Sequence, residues 1–131
     1  MIVVDASAIL ELLLNRHAAA RLRWRLFAPK ETLHAPHLLD VEVLQVLRRY
    51  SLRDEIGDSD AKVAIRVCRA LPIERYPHDP LLERAWEMRA NATACDAVYI
   101  ALAEALDAVF VTADARLAKA VRKRVRVELF D

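Results

Sequence analysis

The sequence predicts an α/β fold built on a mainly parallel sheet. Two short runs, Ile2-Val3-Val4 and Val109-Phe110-Val111, are wholly apolar and rich in β-branched residues, as expected of strands buried on both faces of such a sheet. Helix-patterned segments lie between these runs, and prolines at 29, 36, 72, 77 and 80 fall at the joints. Alternating strands and helices fit parallel strands joined by right-handed crossovers.

Taken in order, the strand at 2–4 leads into a helical segment over roughly 7–14, and a second covers roughly 17–27. Leu33-His34-Ala35 is a weaker strand candidate, followed after Pro36 by a helix over roughly 38–51. In that helix Leu39, Val43, Val46, Leu47 and Tyr50 recur at the i, i+4, i+7, i+8 spacing of one buried face. A helix over roughly 58–70, a strand at Pro72-Ile73-Glu74 and a helix over roughly 79–90 come next. The chain closes with a helix over roughly 94–106, the strand at 109–111, a helix over roughly 114–122 and a last strand within 125–129.

With 131 residues and 56% hydrophobic content, one compact domain spanning 1–131 is expected. Lys plus Arg (20) nearly cancels Asp plus Glu (19), a net charge of +1. No global field therefore draws in a polyanion, and nucleic-acid binding has to come from local patches. A single glycine, Gly57, excludes the Gly-rich phosphate loops of nucleotide-binding folds. Cys68 and Cys95 form no C-x-x-C pair and are expected as reduced, core or near-core residues. The four histidines lack a shared metal-ligand spacing; His34 and His37 flank Pro36, which breaks a common helix face. The opening residues carry no basic lead, and no apolar run approaches the ~20 residues of a membrane span. A soluble, cytoplasmic protein is expected.

The acids carry the chemistry. Asp5 follows the first buried strand and Asp114 follows the second. In open parallel sheets ligands bind outside the carboxyl ends of the strands, so both carboxylates should emerge at one edge. Glu42 lies early in the helix after Pro36, and Asp96 opens the helix near Thr93. Each also has a purely structural reading: Asp5 and Asp114 as helix N-caps, Asp96 within a T-x-x-D capping box, and Glu42 as a solvated acid favoured by the helix dipole. Four carboxylates gathered in one pocket would repel unless a cation neutralised them. A hard divalent ion such as Mg²⁺ takes oxygen ligands and can drive phosphodiester hydrolysis.

Four blocks in order resemble the PIN domain, and within it the VapC-type toxins of toxin–antitoxin pairs. They are Ile2 to Ala8, Pro36 to Val43, Thr93 to Ala103 and Val111-Thr112-Ala113-Asp114. The resemblance implies a three-layer α/β/α sandwich, PIN-like, with a parallel sheet of about five strands. It implies Asp5, Glu42, Asp96 and Asp114 as the catalytic acids, with Asp5 and Asp96 the main ligands of Mg²⁺ or Mn²⁺. Glu42 and Asp114 would join directly or through water, and Ser7, Thr112 and Asn91 would support them. It also implies endoribonuclease activity leaving a 5′-phosphate, a cognate VapB-type antitoxin and a homodimer. Ala115 stands where many relatives carry a further acid, which thins the fourth corner.

Arg116, Lys119 and Arg122 in the basic C-terminal segment are candidate RNA contacts. Arg16, Arg21, Arg23 and Arg25 surround Trp24 and read mainly as a solvated helix face. Trp24, Phe27, Trp86 and Met88 read as core or interface positions, since they form no stacking ladder. A PIN nuclease of RNA processing, or a structure-selective DNA nuclease, is the nearest enzymatic alternative. A phosphoacceptor signalling domain would need paired acids after the first strand and a Lys-Pro after the last, and both are missing. An inactive PIN-like binding module would not need all four acids.

Overall fold

The computed structural model describes residues 1–131. Five strands form one sheet in the order β3-β2-β1-β4-β5, with every neighbouring pair parallel. They are β1 (Ile2–Val4), β2 (Leu33–Pro36), β3 (Ile73–Tyr76), β4 (Val109–Thr112) and β5 (Val127–Leu129). The register pairs Ile2 with Leu33 on one side and with Val109 on the other. All of β1, and Phe110, Val111 and Thr112 of β4, are buried, which explains their unbroken apolar lettering.

The helices are α1 (Ala6–Leu13), α2 (Ala19–Leu26), α3 (Leu38–Leu52), α4 (Asp58–Ala70), α5 (Leu82–Glu87), α6 (Ala94–Leu106) and α7 (Ala115–Val121). Going from β1 to β2 to β3 the chain steps one way across the sheet, and from β3 to β4 to β5 it steps back. Right-handed crossovers then place α1–α4 on one face and α5–α7 on the other. Accordingly α1 packs against α2, α3 and α4, while α6 packs on α5, β1 and β2. The result is the three-layer sandwich. Its strand order reverses direction between β1 and β4, where a crevice opens in folds of this kind.

Most of the expected elements form close to their expected bounds. The segment expected as one helix over 79–90 is instead a 3₁₀ turn, Asp79–Leu81, followed by the short α5. Pro80 stands in the first turn of that segment, where its missing N–H leaves no intrahelical bond unmade. Cys68 is buried, whereas Cys95 is exposed: as the second residue of α6 it lies beyond the helix's buried stretch, which starts at Ala97. Met88 is buried, but Trp24, Phe27 and Trp86 are exposed. No helix is long and apolar enough to cross a membrane.

Polar links fix the start of α3, where Glu42 sits. Arg75 on β3 grips both oxygens of Asp40, with Nε–Oδ2 at 2.7 Å and Nη2–Oδ1 at 2.9 Å, and also reaches the carbonyls of Cys68 and Ile73. A planar guanidinium matched to a carboxylate in this way holds direction as well as distance. His37, the N-cap of α3, makes no side-chain cap; His78 supplies it from across the fold, its Nε2 accepting from the Leu38 N–H at 2.9 Å. Thus His78 has a structural role, and so does buried His34, whose ring bonds Thr32 and Tyr76.

Phe110 is fully buried in the central β4 and lies against Tyr99 with ring centroids 6.3 Å apart. Phe110→Ala should lower stability by about 3–5 kcal/mol in urea unfolding, the usual range for a buried aromatic. A loss under about 1 kcal/mol would contradict the packing described.

Candidate active site

Asp5 occupies the first position after β1, where its backbone N–H still bonds Val111 on β4 at 3.3 Å. Its side chain caps α1, with Oδ1 accepting from the Ala8 N–H at 3.0 Å and from the Ser7 hydroxyl at 2.7 Å. The hydroxyl of Thr112, the last residue of β4, donates to Oδ2 at 2.5 Å. Ser7 and Thr112 also meet each other at 3.1 Å. The Ala113 N–H donates to Ser7 Oγ at 2.9 Å, and the Asp114 N–H to Thr112 Oγ1 at 3.0 Å. The ends of the two central strands are thereby tied through one carboxylate. Asp114 in turn caps α7, its Oδ1 accepting from the Leu117 N–H at 3.0 Å.

The other two acids come from opposite layers. Asp96 lies in the first turn of α6, which Thr93 caps by accepting the Asp96 N–H at 3.1 Å. Glu42 is the fifth residue of α3, and its Oε1 accepts from the Tyr99 hydroxyl at 2.7 Å. Tyr99, fully buried on α6, therefore bridges the two helical layers across the sheet edge.

Asp5, Glu42, Asp96 and Asp114 all line one cavity of about 500 Å³, together with Ser7, Tyr99, Arg16 and Arg49. The cavity lies at the carboxyl ends of β1 and β4, over the reversal of strand order. Thr112 supports it from beneath. Asn91 stands apart: it is exposed in the turn before α6 and does not line the cavity. Its side chain precedes the Thr93 cap by two residues, so the first turn of α6 does not orient it toward the acids.

Three of the structural readings hold at least in part, since Asp5 and Asp114 are helix caps and Thr93 caps the Asp96 N–H; Glu42 is half-buried and bonded to Tyr99, not a solvated acid. Capping and clustering coexist, since α1, α3, α6 and α7 all begin at this edge and point the positive ends of their dipoles toward the acids. Tyr99 and Arg49 were not singled out in the sequence as site residues. The signal for Tyr99 was available: it stands three positions after Asp96, on the same face of one helix.

Burial dominates the electrostatics. It raises the Asp5 carboxyl to about 6, despite the opposing bonds from Thr112, Ser7 and Ala8, and Glu42 adds to the rise. Glu42 is raised by burial and then by Asp96, against the bond from Tyr99. Asp96 is raised by burial and by Asp114, against the Thr93 hydroxyl and Arg116. Each acid thus feels the next, from Asp5 through Glu42 and Asp96 to Asp114. Burial and Glu42 push the Tyr99 phenol far upward, which keeps it a neutral donor.

No three His, Cys, Asp or Glu side chains are already gathered tightly enough to enclose a metal ion. Asp5 and Asp114 are held by the helix caps they make, and Glu42 by Tyr99. The donor set is nonetheless all carboxylate and hydroxyl oxygen. That set fits Mg²⁺ or Mn²⁺, which bind through one or two direct carboxylates and keep waters for the rest.

Asp5 also sets a pH dependence. Its folded value of about 6 lies above the ordinary 3.8, so the stability linked to its protonation is complete below pH 3.8 and is lost as pH rises through 6. Metal-free protein should lose stability across that window. The near-isosteric Asp5→Asn should remove the loss and gain up to about 3 kcal/mol at pH 7, taking about 1.4 kcal/mol per pKa unit. Urea unfolding in EDTA between pH 4 and 8 tests this, and a flat profile for the unmodified protein would refute it.

A PIN domain family model matches residues 2–123. Ribonuclease VapC9 of Mycobacterium tuberculosis is 50% identical over 117 residues, covering 89% of this chain and 88% of the relative. The crystal structure of VapC20 of Mycobacterium tuberculosis, a sarcin-ricin loop cleaving toxin, superposes with a TM-score of 0.70 at 19% identity, covering 92% of this chain and 95% of that one. VapBC2 of Rickettsia felis, bound to a DNA fragment from its promoter, gives a TM-score of 0.68 at 12% identity over 100% of both chains. The two structures share the fold of this chain, and the sequence identity to VapC9 extends along nearly the whole chain. By the family model and the sequence identity this chain belongs to the PIN domain family and, within it, to the VapC proteins.

Proposed function

We propose that the protein is a metal-dependent endoribonuclease, the toxin of a VapBC-type pair. One observation carries this reading: four carboxylates from four separate elements line a single cavity at the reversal point of a parallel sheet. The relatives named as VapC ribonucleases support RNA as the substrate. The reaction would add water to phosphorus and break the P–O3′ bond, leaving a 5′-phosphate and a 3′-hydroxyl.

Asp5 and Asp96 would hold Mg²⁺ or Mn²⁺, with Glu42 and Asp114 joining directly or through water. When bound, the ion polarises the phosphoryl oxygen and lowers the pKa of water. Ser7 and Thr112 fix the Asp5 carboxylate by donating to opposite oxygens. Tyr99 keeps its proton directed at Oε1 of Glu42, which leaves Oε2 for the cavity. Partners that orient metal-binding carboxylates in this way each contribute about 10–100-fold in affinity or activity.

Purified protein should cleave RNA with Mg²⁺ or Mn²⁺ and stop in EDTA. Asp5→Ala and Asp96→Asn should each lower kcat at least about 100-fold, whereas Thr112→Val should lose about 10–100-fold. Full activity in Asp5→Ala would rule out this site.

For the antitoxin we propose the apolar surface of α3 and α4. Val41, Leu44 and Leu52 on α3, and Val63 and Val67 on α4, are exposed, and a groove of about 520 Å³ lies beside them between Leu13, Ile56 and Val67. Apolar patches of this kind mark partner sites. A homodimer and a cytoplasmic location complete the reading. Induction in a host cell should arrest growth, and co-expression of a cognate VapB-type protein should restore it. Unimpeded growth while the RNA-cleaving enzyme accumulates would remove the toxin role.

A further inference from the structure

The acid cavity repels the polyanion it is proposed to cut, so cations elsewhere must hold RNA against it. Most arginines with strong partners do not serve this purpose. Arg25 is held by Glu31 and Glu128, Arg75 by Asp40, and Arg84 by Glu87 and Glu104. Arg16 and Arg49 line the cavity itself; Arg16 is 4.0 Å from Glu11 and stacks over Tyr50 at 5.0 Å.

The segment that begins at the cavity's own Asp114 corner is different. Residues 115–126 hold six Lys or Arg and no Asp or Glu. Arg116, Lys119, Arg122, Lys123 and Arg124 are exposed, and none of them forms an ion pair. On α7, Leu117, Ala118 and Val121 are buried. At about 100° per residue, Arg116 and Lys119 fall within about 60° of one another on the opposite face, and Arg122, Lys123 and Arg124 follow in the turn beyond the helix. Arg116 is close enough to Asp96 to act on its carboxyl. At the other end, Arg122, Lys123, Arg124 and Arg126 line a groove of about 730 Å³. The two acids in that groove are already engaged, Glu104 by Arg84 and Asp107 by Arg126.

We infer that the outer face of α7 and the groove at its end form a track for single-stranded RNA, gripping the substrate's phosphates on one side of the cut. The inference rests on the ribonuclease reading. Charge complementarity and continuity with the acid corner assign the occupant, since the row of unpaired cations starts beside Asp96 and Asp114 and runs without an acid to the groove. From Arg116 to Val121 α7 covers about 8 Å at about 1.5 Å per residue, and Arg122 to Arg124 carry the cations past its end. A substrate confined to the cavity would not reach its far end.

The test compares the unmodified protein with the triple variant Lys119→Gln, Lys123→Gln, Arg124→Gln. Binding of a long single-stranded RNA is measured in EDTA as a function of salt. Removing three phosphate contacts should make the log–log salt slope shallower by about 2. In Mg²⁺, kcat/KM on the long RNA should fall at least tenfold more than kcat/KM on a trinucleotide spanning the same cut. An unchanged slope, or equal losses on both substrates, overturns the track. Tighter binding to a DNA duplex than to the RNA, lost in the same variant, also overturns it by assigning the surface to DNA. If the unmodified protein cuts neither substrate while the slope still changes, the ribonuclease reading fails and the polyanion track stands.

Discussion

The hydroxyl-cradled carboxylate of Asp5 is the interaction on which the site is built. β1 and β4 are neighbours in space, yet more than a hundred residues separate them in the chain. At their carboxyl ends the crossovers diverge, so the backbone ladder cannot continue there. Ser7, Thr112 and the backbone of Ala8, Ala113 and Asp114 replace it with a compact polar network closed on Asp5. No buried side-chain polar atom is left without a partner. The network gives Asp5 its direction, and burial gives it a reluctance to ionise that three donors do not overcome. A carboxylate so placed is well positioned and poorly neutralised, the state in which a cation has most to contribute.

The opposite layers meet over this network. α3 brings Glu42 from one face and α6 brings Asp96 from the other, and the Tyr99–Glu42 hydrogen bond joins them. The start of α3 is itself fixed by the Arg75–Asp40 fork and by the His78 cap, both reaching from β3 and the turn after it. Disturbing β3 would therefore misplace Glu42 without touching the cavity. Similarly, Phe110 supports the Tyr99 ring from within the sheet, so the central strand, the buried tyrosine and the acid-lined edge form one mechanical path.

The legible part of this arrangement was the part written in local pattern. Apolar runs marked β1 and β4, and adjacency then placed Asp5 and Asp114 at one edge. Glu42 and Asp96 have no such local mark, and only the family's ordered blocks pointed to them. Tyr99 could be read as core because its ring is core; its hydroxyl acquires a role only when α3 arrives from the other layer. Arg75, Asp40 and His78 are equally opaque, since each acts on a residue more than thirty positions away. Asn91 shows the reverse case: a plausible polar residue near Asp96 in sequence which the α6 cap leaves facing solvent.

The division of labour among the arginines follows from the same near-neutral composition. A chain with almost equal numbers of cations and anions can hold RNA only by keeping some cations free of intramolecular partners. Arg25, Arg75 and Arg84 are consumed as clasps between elements, each with a carboxylate at hydrogen-bond distance. Residues 115–126 contain no acid, so five of their six cations, all but Arg126, form no ion pair and stay available to solvent or phosphate. An acidic cavity and a basic helix meeting at a single residue, Asp114, create a steep local gradient of potential inside a molecule whose net charge is only +1. On the proposed track, such a gradient would orient a polyanion, holding its phosphates along the helix while presenting one of them to the acids, which total charge alone does not do.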